Sequence, residues 1–169
     1  MPEHVHILGG YQTDFARNVT KEGGDLSTLT DEVVTGTLAE AGVTADDIEV
    51  IHVGNAFGQV YTGQGHLGAM PATMHPELWG VPASRHEGAC ASGSLAILAA
   101  MSDLESGRYD CALVIGVELE KNVPGDVGAK NMAGAGWLGH DGEGATFLAS
   151  QVVTTNAAGA WPPIHHSTG

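Results

Sequence analysis

Residues 86–98, HEGACASGSLAIL, set Cys90 among the smallest side chains available: Gly88, Ala89, Ala91, Ser92 and Gly93. A thiolate is the nucleophilic form of cysteine, and the first turn of a helix favours it through unpaired N–H groups and the positive end of the dipole. Small neighbours let an acyl carbonyl approach the sulfur while a backbone N–H points at the oxygen that takes up negative charge. These residues therefore suit nucleophilic acyl transfer. They equally suit a small apolar side chain packed at a crowded turn, and composition alone leaves both readings open. The second cysteine, Cys111, opens the apolar run CALVIGV and reads as a buried structural residue.

The other polar residues are weaker candidates. His86 lies four residues before Cys90, and an extended chain would carry it about 13 Å away, so packing or a contact between subunits is its expected role. His140, in GHDGEGAT at 139–146, reads as a solvated loop histidine. His4 and His6 alternate on an expected strand, and His165-His166 sits in an irregular tail; none has ligand spacing, and no metal site is expected. Asn55, at a strand end, is either a turn residue or a polar contact. Glu118 and Glu120, with Lys121, read as a solvated face.

Positioning Cys90 requires a strand, a turn and a helix in that order. The segment VPASRHE at 81–87 is the expected strand, with Pro82 near its start where a missing N–H does least harm. Leu95, Leu98, Met101 and Leu104 form the expected helical stripe after Cys90, and Gly107 is the stop. CALVIGV at 111–117 has the continuous apolar character of a strand covered on both faces of a parallel sheet, closing a βαβ unit with Cys90 at its first turn. In such sheets the crevice at the carboxyl ends of the strands is the usual ligand site.

Upstream, VHILG at 5–9 reads as a first strand. An amphipathic helix is expected from Ser27, with Leu29, Val33, Leu38 and Ala41 on its apolar side and Gly42 as its stop. Ile48, Val50, Ile51 and Val53 mark another strand, and 58–80 is broken by glycine and proline apart from a short helix within 65–74. After Glu118 glycines dominate and a loop-rich excursion is expected. Domain boundaries follow as an α/β domain over 1–122, a partial loop segment over 123–150 and an irregular tail over 151–169.

The chain has 169 residues, 43% of them hydrophobic and 15% charged, enough for one domain with a sizeable core. Six Lys and Arg against twenty Asp and Glu give a formal charge of −14, which argues against nucleic acid or an anionic membrane surface as a partner. Two cysteines make no disulfide framework and the first residues lack a basic, then apolar, leader, so a cytoplasmic setting is expected. No run reaches 18 apolar residues, so no membrane span is expected.

The string ACASGSLAI at 89–97 resembles the nucleophile motif of the thiolases, acyl-CoA acetyltransferases whose reactive cysteine heads a helix in a CASG sequence. VHILGGYQTDFAR at 5–17, VIHVGNAFGQ at 50–59 and YDCALVIGVELEKN at 109–122 agree in order and spacing, and GVE at 116–118 looks closest to the sterol-carrier-protein type. The resemblance covers about residues 4–122 and implies an α/β layer, a mixed and mostly parallel sheet with helices packed on it. It implies Cys90 as the acyl-accepting nucleophile, with acyl-CoA or coenzyme A as substrate and no permanently bound cofactor. It further implies a homodimer, with the strand at 81–87 near the subunit contact, or a hetero-oligomer with a chain supplying missing motifs.

The family's activating histidine, second cysteine and GHP motif are expected from a C-terminal half, and GHDGEGAT falls too soon after Cys90 to be the last of these. The chain alone is therefore expected to be catalytically incomplete. A non-catalytic thiolase-like subunit or fragment that binds another chain is the alternative, and a truncated product is a third reading. With so few basic residues, the contacts to coenzyme A phosphates are expected elsewhere.

Overall fold

The computed structural model describes residues 4–136. The chain divides into two compact units, Met1–Asn122 and Val123–Gly169. In the first, three strands form a parallel sheet: β1 (Val50–Gly54) in the centre, β2 (Ala83–His86) on one side and β3 (Ala112–Gly116) on the other. The expected α/β layer is present, and its described strands are all parallel. Ile51 pairs with Ala83 and Leu113, His52 with Ser84 and Val114, and Gly54 with His86 and Gly116.

Alternation along β1 divides the molecule into two packing layers. Ile51 and Val53, with their β3 partners Leu113 and Ile115, join a buried cluster that includes Val34, Leu67 and Leu78. The opposite face carries His52 and Gly54 toward the helix that follows β2.

That cluster is supplied in part by α1 (Leu26–Ala41). Asp25 caps it, its carboxylate accepting from the N–H of Ser27 at 2.8 Å and of Thr28 at 3.2 Å, while Thr28 Oγ1 accepts the N–H of Asp25. Gly42, at φ 66°, ends it in the left-handed region open to glycine. The buried face is Leu26, Thr30 and Val34, one step round from the expected stripe; Leu29, Val33 and Leu38 are only partly buried. Tyr11 accounts for part of the rotation. Its ring lies where a Cβ at Gly36 would sit, 2.5 Å from Cγ, so the preceding segment covers another side of the helix.

The segment 58–80 holds two short helices, α2 (Gly58–Thr62) and α3 (Met70–Met74), with one 3-10 turn between them and another after α3. Next come β2, a 3-10 turn at Ala89–Ala91, and α4 (Ser92–Glu105).

Two expectations are corrected. Residues 5–9 form no strand: a strand exists only as part of a ladder, and no described strand pairs with this segment. Ile7 and Leu8 are accordingly 93% and 63% exposed. The glycine-rich stretch after Asn122 contains a helix, α5 (Gly125–Met132). Pro124 at its N-cap, Asp126 in the first turn and Lys130 in the last supply the start signal and dipole complement that periodicity did not register. The expected boundary at residue 150 lies outside the described residues.

Candidate active site

β2 ends at His86, and six residues later α4 begins; Cys90 lies between them, in the 3-10 turn running into the helix. Its thiol is free and exposed. The turn is braced from within. Ser92 Oγ accepts the N–H of Gly88 at 3.0 Å and donates to the carbonyl of Ala89 at 2.7 Å; the N–H of Ala89 donates to Glu87 Oε1 at 2.7 Å. Ala89 holds φ 49°, in the left-handed region costly for a residue with a Cβ. That strain falls immediately before the cysteine. No side chain caps α4, so the positive end of its dipole is left to the Cys90 turn.

The helix start is pinned to the sheet by a close backbone approach. A Cβ on Gly54 would lie 2.8 Å from Gly93 Cα and 2.9 Å from both Gly93 N and Ser92 C. The glycine demanded by this contact is thus Gly54, at the end of β1. Gly93 has open space for a side chain, and the atom nearest a Cβ at Gly88 would be the movable Leu95 Cδ1.

α4 reaches the sheet through Ser92, Ala96 and Ala100, its buried residues. Of the expected stripe, Leu95 and Leu98 are 40% and 57% exposed while Met101 and Leu104 are partly buried, and Ile97 beside it is 51% exposed. Only small side chains fit a helix this close to the sheet.

The neighbouring strand ends are locked by Asn55, which is fully buried. Its Nδ2 donates to the Val117 carbonyl at 2.6 Å, its Oδ1 accepts the Gly58 N–H at 3.0 Å, and its own N–H donates to the His86 carbonyl at 3.1 Å. Both ends of the amide are engaged, which makes Asn55 a turn residue. Arg85 donates to the carbonyls of Asn55 at 3.0 Å and Ala56 at 2.8 Å. Glu118 receives the N–H groups of Ala56 and Phe57. Desolvation pushes the Glu118 carboxyl above the usual carboxylate range, against those hydrogen bonds and Arg85; Glu120 is raised by desolvation and by Glu118. Glu118 and Lys121 stay exposed and Glu120 is half-buried, and Lys121 donates to the carbonyls of Phe15 and Arg17 at 2.7 and 2.9 Å.

Cys111 packs half-buried against the core, and burial raises its thiol, with Asp47 and Glu49 adding to the effect. His86 is engaged with His52 and Ser84. His4 and His6 are exposed, and His140, His165 and His166 lie outside the described residues. Among the described residues no group of three His, Cys, Asp or Glu side chains is placed to hold a metal ion, and no helix is long and apolar enough to cross a membrane. A cavity of about 410 Å³ lies near the start of α1, lined by Asp25, Ser27, Tyr61, Met70, Leu119 and Asn122 among others; Cys90 is not part of it.

A strand, a strained turn bearing a free thiol and a helix start agree with the result of sequence comparison, in which the thiolase N-terminal domain matches residues 5–159. The chain belongs to the thiolase family. It is 36% identical over 114 residues to the acetyl-CoA acetyltransferase of Methanocaldococcus jannaschii, an overlap of 68% of this chain and 28% of that protein. To the acetyl-CoA acetyltransferase of Methanothermobacter thermautotrophicus it is 32% identical over 114 residues, covering 68% of this chain and 29% of the relative. Sterol carrier protein 2 of Gallus gallus is 30% identical over 119 residues, 70% of this chain and 20% of its own length. The chain thus spans under a third of the length of the curated relatives it matches. Within this thiolase domain the bracing residue Ser92 and the strand-end pair Arg85 and Glu118 escaped the reading by motif and period, because their roles depend on partners distant in sequence or on side-chain orientation. Ser92 carried one local signal, a hydroxyl at the first helical position.

Proposed function

We propose that Cys90 is the nucleophile of a thiolase-type acyl transfer. Its thiolate attacks the carbonyl carbon of an acyl-CoA thioester, the carbon–sulfur bond to coenzyme A breaks, and coenzyme A leaves as its thiolate while the acyl group stays on Cys90. A second acyl-CoA or free coenzyme A then takes the acyl group. The observation carrying this reading is the free, exposed sulfur at the strained turn leading into α4.

Such a reaction needs a base, and the Cys90 sulfur has no hydrogen-bond or ion-pair partner among the described residues. The base is proposed to come from sequence beyond them or from another chain, homologous or different, as do the cations that hold the coenzyme A phosphates. The outward apolar side of α4, around Leu95, Ile97 and Leu98, supports this reading, since an exposed patch of this kind marks a surface awaiting cover. The same patch favours a second reading, a thiolase-like subunit that binds a catalytic chain without reacting itself.

Iodoacetamide followed by peptide mass analysis tests the first reading. Cys90 should be alkylated much faster than Cys111 near neutral pH, and acetyl-CoA should leave an acetyl group on Cys90 when a chain carrying the missing histidine and cysteine motifs is added. Equal labelling of the two thiols, or no acetyl adduct in the reconstituted pair, overturns it; a stable pair without adduct favours the second.

A further inference from the structure

We propose that His52 and His86 form a clasp that holds one proton between their facing nitrogens and positions the Cys90 turn, and that a second proton on the pair opens it. His52 Nδ1 and His86 Nε2 are 2.9 Å apart, with ring centroids 5.1 Å apart. Ser84 Oγ completes a triangle, 2.9 Å from His86 Nε2 and 3.3 Å from His52 Nδ1. Two ring nitrogens at this distance bond when one carries hydrogen and the other offers its lone pair. Two N–H groups head to head leave Ser84 Oγ as the sole acceptor for both among the described residues, and the contact must break.

His52 is 4% exposed, beneath α4. The titratable groups facing it are His86 from β2 and Asp103 from α4, and its register partner on β3 is the uncharged Val114. Asp103 Oδ2 stands 3.2 Å from His52 Nε2, within ion-pair distance but without the alignment of a hydrogen bond. A carboxylate there favours hydrogen on Nε2, which makes Nδ1 the acceptor of the clasp in its neutral form. Burial first, and His86 second, hold His52 below the usual histidine range, while Asp103 opposes them. One charge on the pair keeps a hydrogen between the rings; two charges do not.

The clasp is connected to the nucleophile turn through the backbone. The His86 carbonyl receives the Asn55 N–H at 3.1 Å, and Glu87, the next residue, holds the Ala89 N–H at 2.7 Å. Movement of His86 therefore displaces the segment that presents Cys90. The link to Cys90 rests on the proposed role of that thiol; the shared proton does not.

Ring-nitrogen NMR of the wild-type chain from pH 8 to 5 tests the clasp directly. The expected result is two coupled titration steps shared by both rings. Beside it, the rate of Cys90 alkylation is compared with that of His86→Gln, whose amide can donate one hydrogen bond to His52 without a second titrating proton. The wild-type rate should match the variant's above pH 7 and fall about threefold below it near pH 5.5, as the turn loses its place at the helix dipole. Independent titration of the two rings overturns the clasp; a constant ratio of rates across the range overturns its link to Cys90. Neither readout needs acyl transfer, so coupled titration together with no acetyl adduct in the reconstituted pair rejects the proposed function alone.

Discussion

Replacing Gly54 with alanine tests how α4 is held. The new Cβ would lie 2.8 Å from Gly93 Cα, against the 3.4 Å at which ordinary contacts begin, so the overlap is 3.4 − 2.8, or 0.6 Å. Its neighbours Gly93 N and Ser92 C, both at 2.9 Å, are also backbone, and no rotamer can yield. The first turn of α4 must move away from β1 as a unit. Overpacking of this kind costs about 1–3 kcal/mol, and rigid backbone on both sides argues for the upper end. For a chain of this size about 3 kcal/mol lowers Tm by roughly 6–12 °C. Gly116 is the control: it pairs with Gly54 in register, and a Cβ there meets nothing within 4 Å, so Gly116→Ala should shift Tm little. Thermal unfolding followed by circular dichroism gives both values, and iodoacetamide labelling should show altered Cys90 reactivity in Gly54→Ala alone. Equal, small shifts for the two variants would refute the claim that backbone approach at Gly54 sets the position of the turn.

Ser92→Ala removes the acceptor for the Gly88 N–H and the donor to the Ala89 carbonyl; a loss of about 1–2 kcal/mol in urea denaturation is expected, and an unchanged midpoint would contradict the brace. Leu98→Gln, on the outward side of α4, should change the stability of the chain alone by no more than about 0.5 kcal/mol, yet weaken capture of a complementing chain in pull-down; unaffected capture would remove that surface from the proposed interface. Lowering pH through the histidine range should reduce stability through His52, because its folded value is depressed and the unfolded chain binds more protons below about 6.5. Glu118 and Glu120, raised when folded, act in the opposite sense as pH rises above the ordinary carboxylate value. The difference between wild type and His52→Gln isolates the histidine; parallel urea-midpoint curves from pH 7 to 5 would show that it contributes nothing.

The strands that pair in parallel were legible because both faces are covered, which leaves a near-continuous apolar run: 48–53 was read where Val50–Gly54 forms, and 111–117 where Ala112–Gly116 forms. VHILG has the same composition, but composition reports the capacity to pair and says nothing of a partner. The position of Cys90 was legible from local order, a strand followed by small residues and a helical period. The contacts of Asn55, Glu118 and His52 were not. Asn55 and Glu118 are joined to partners 61 or 62 residues away, and His52 to His86 at 34; no period encodes such pairs.

The packing of α4 shows why hydrophobic period alone does not assign a helix face. Size and burial usually run together, yet of the helical stripe Leu95, Leu98, Met101 and Leu104 only Met101 and Leu104 are partly buried. Here the glycine at the end of β1 allows the helix backbone to meet the strand directly, and at that separation the buried positions accept only Ser92, Ala96 and Ala100. Leu95, Ile97 and Leu98 are left exposed, while Met101 and Leu104 are partly buried. A helix with small residues on one side and large apolar residues on the other is suited to be covered on both. The requirement that brings the Cys90 turn close to the sheet is thus the same one that leaves Leu95, Ile97 and Leu98 exposed among the described residues.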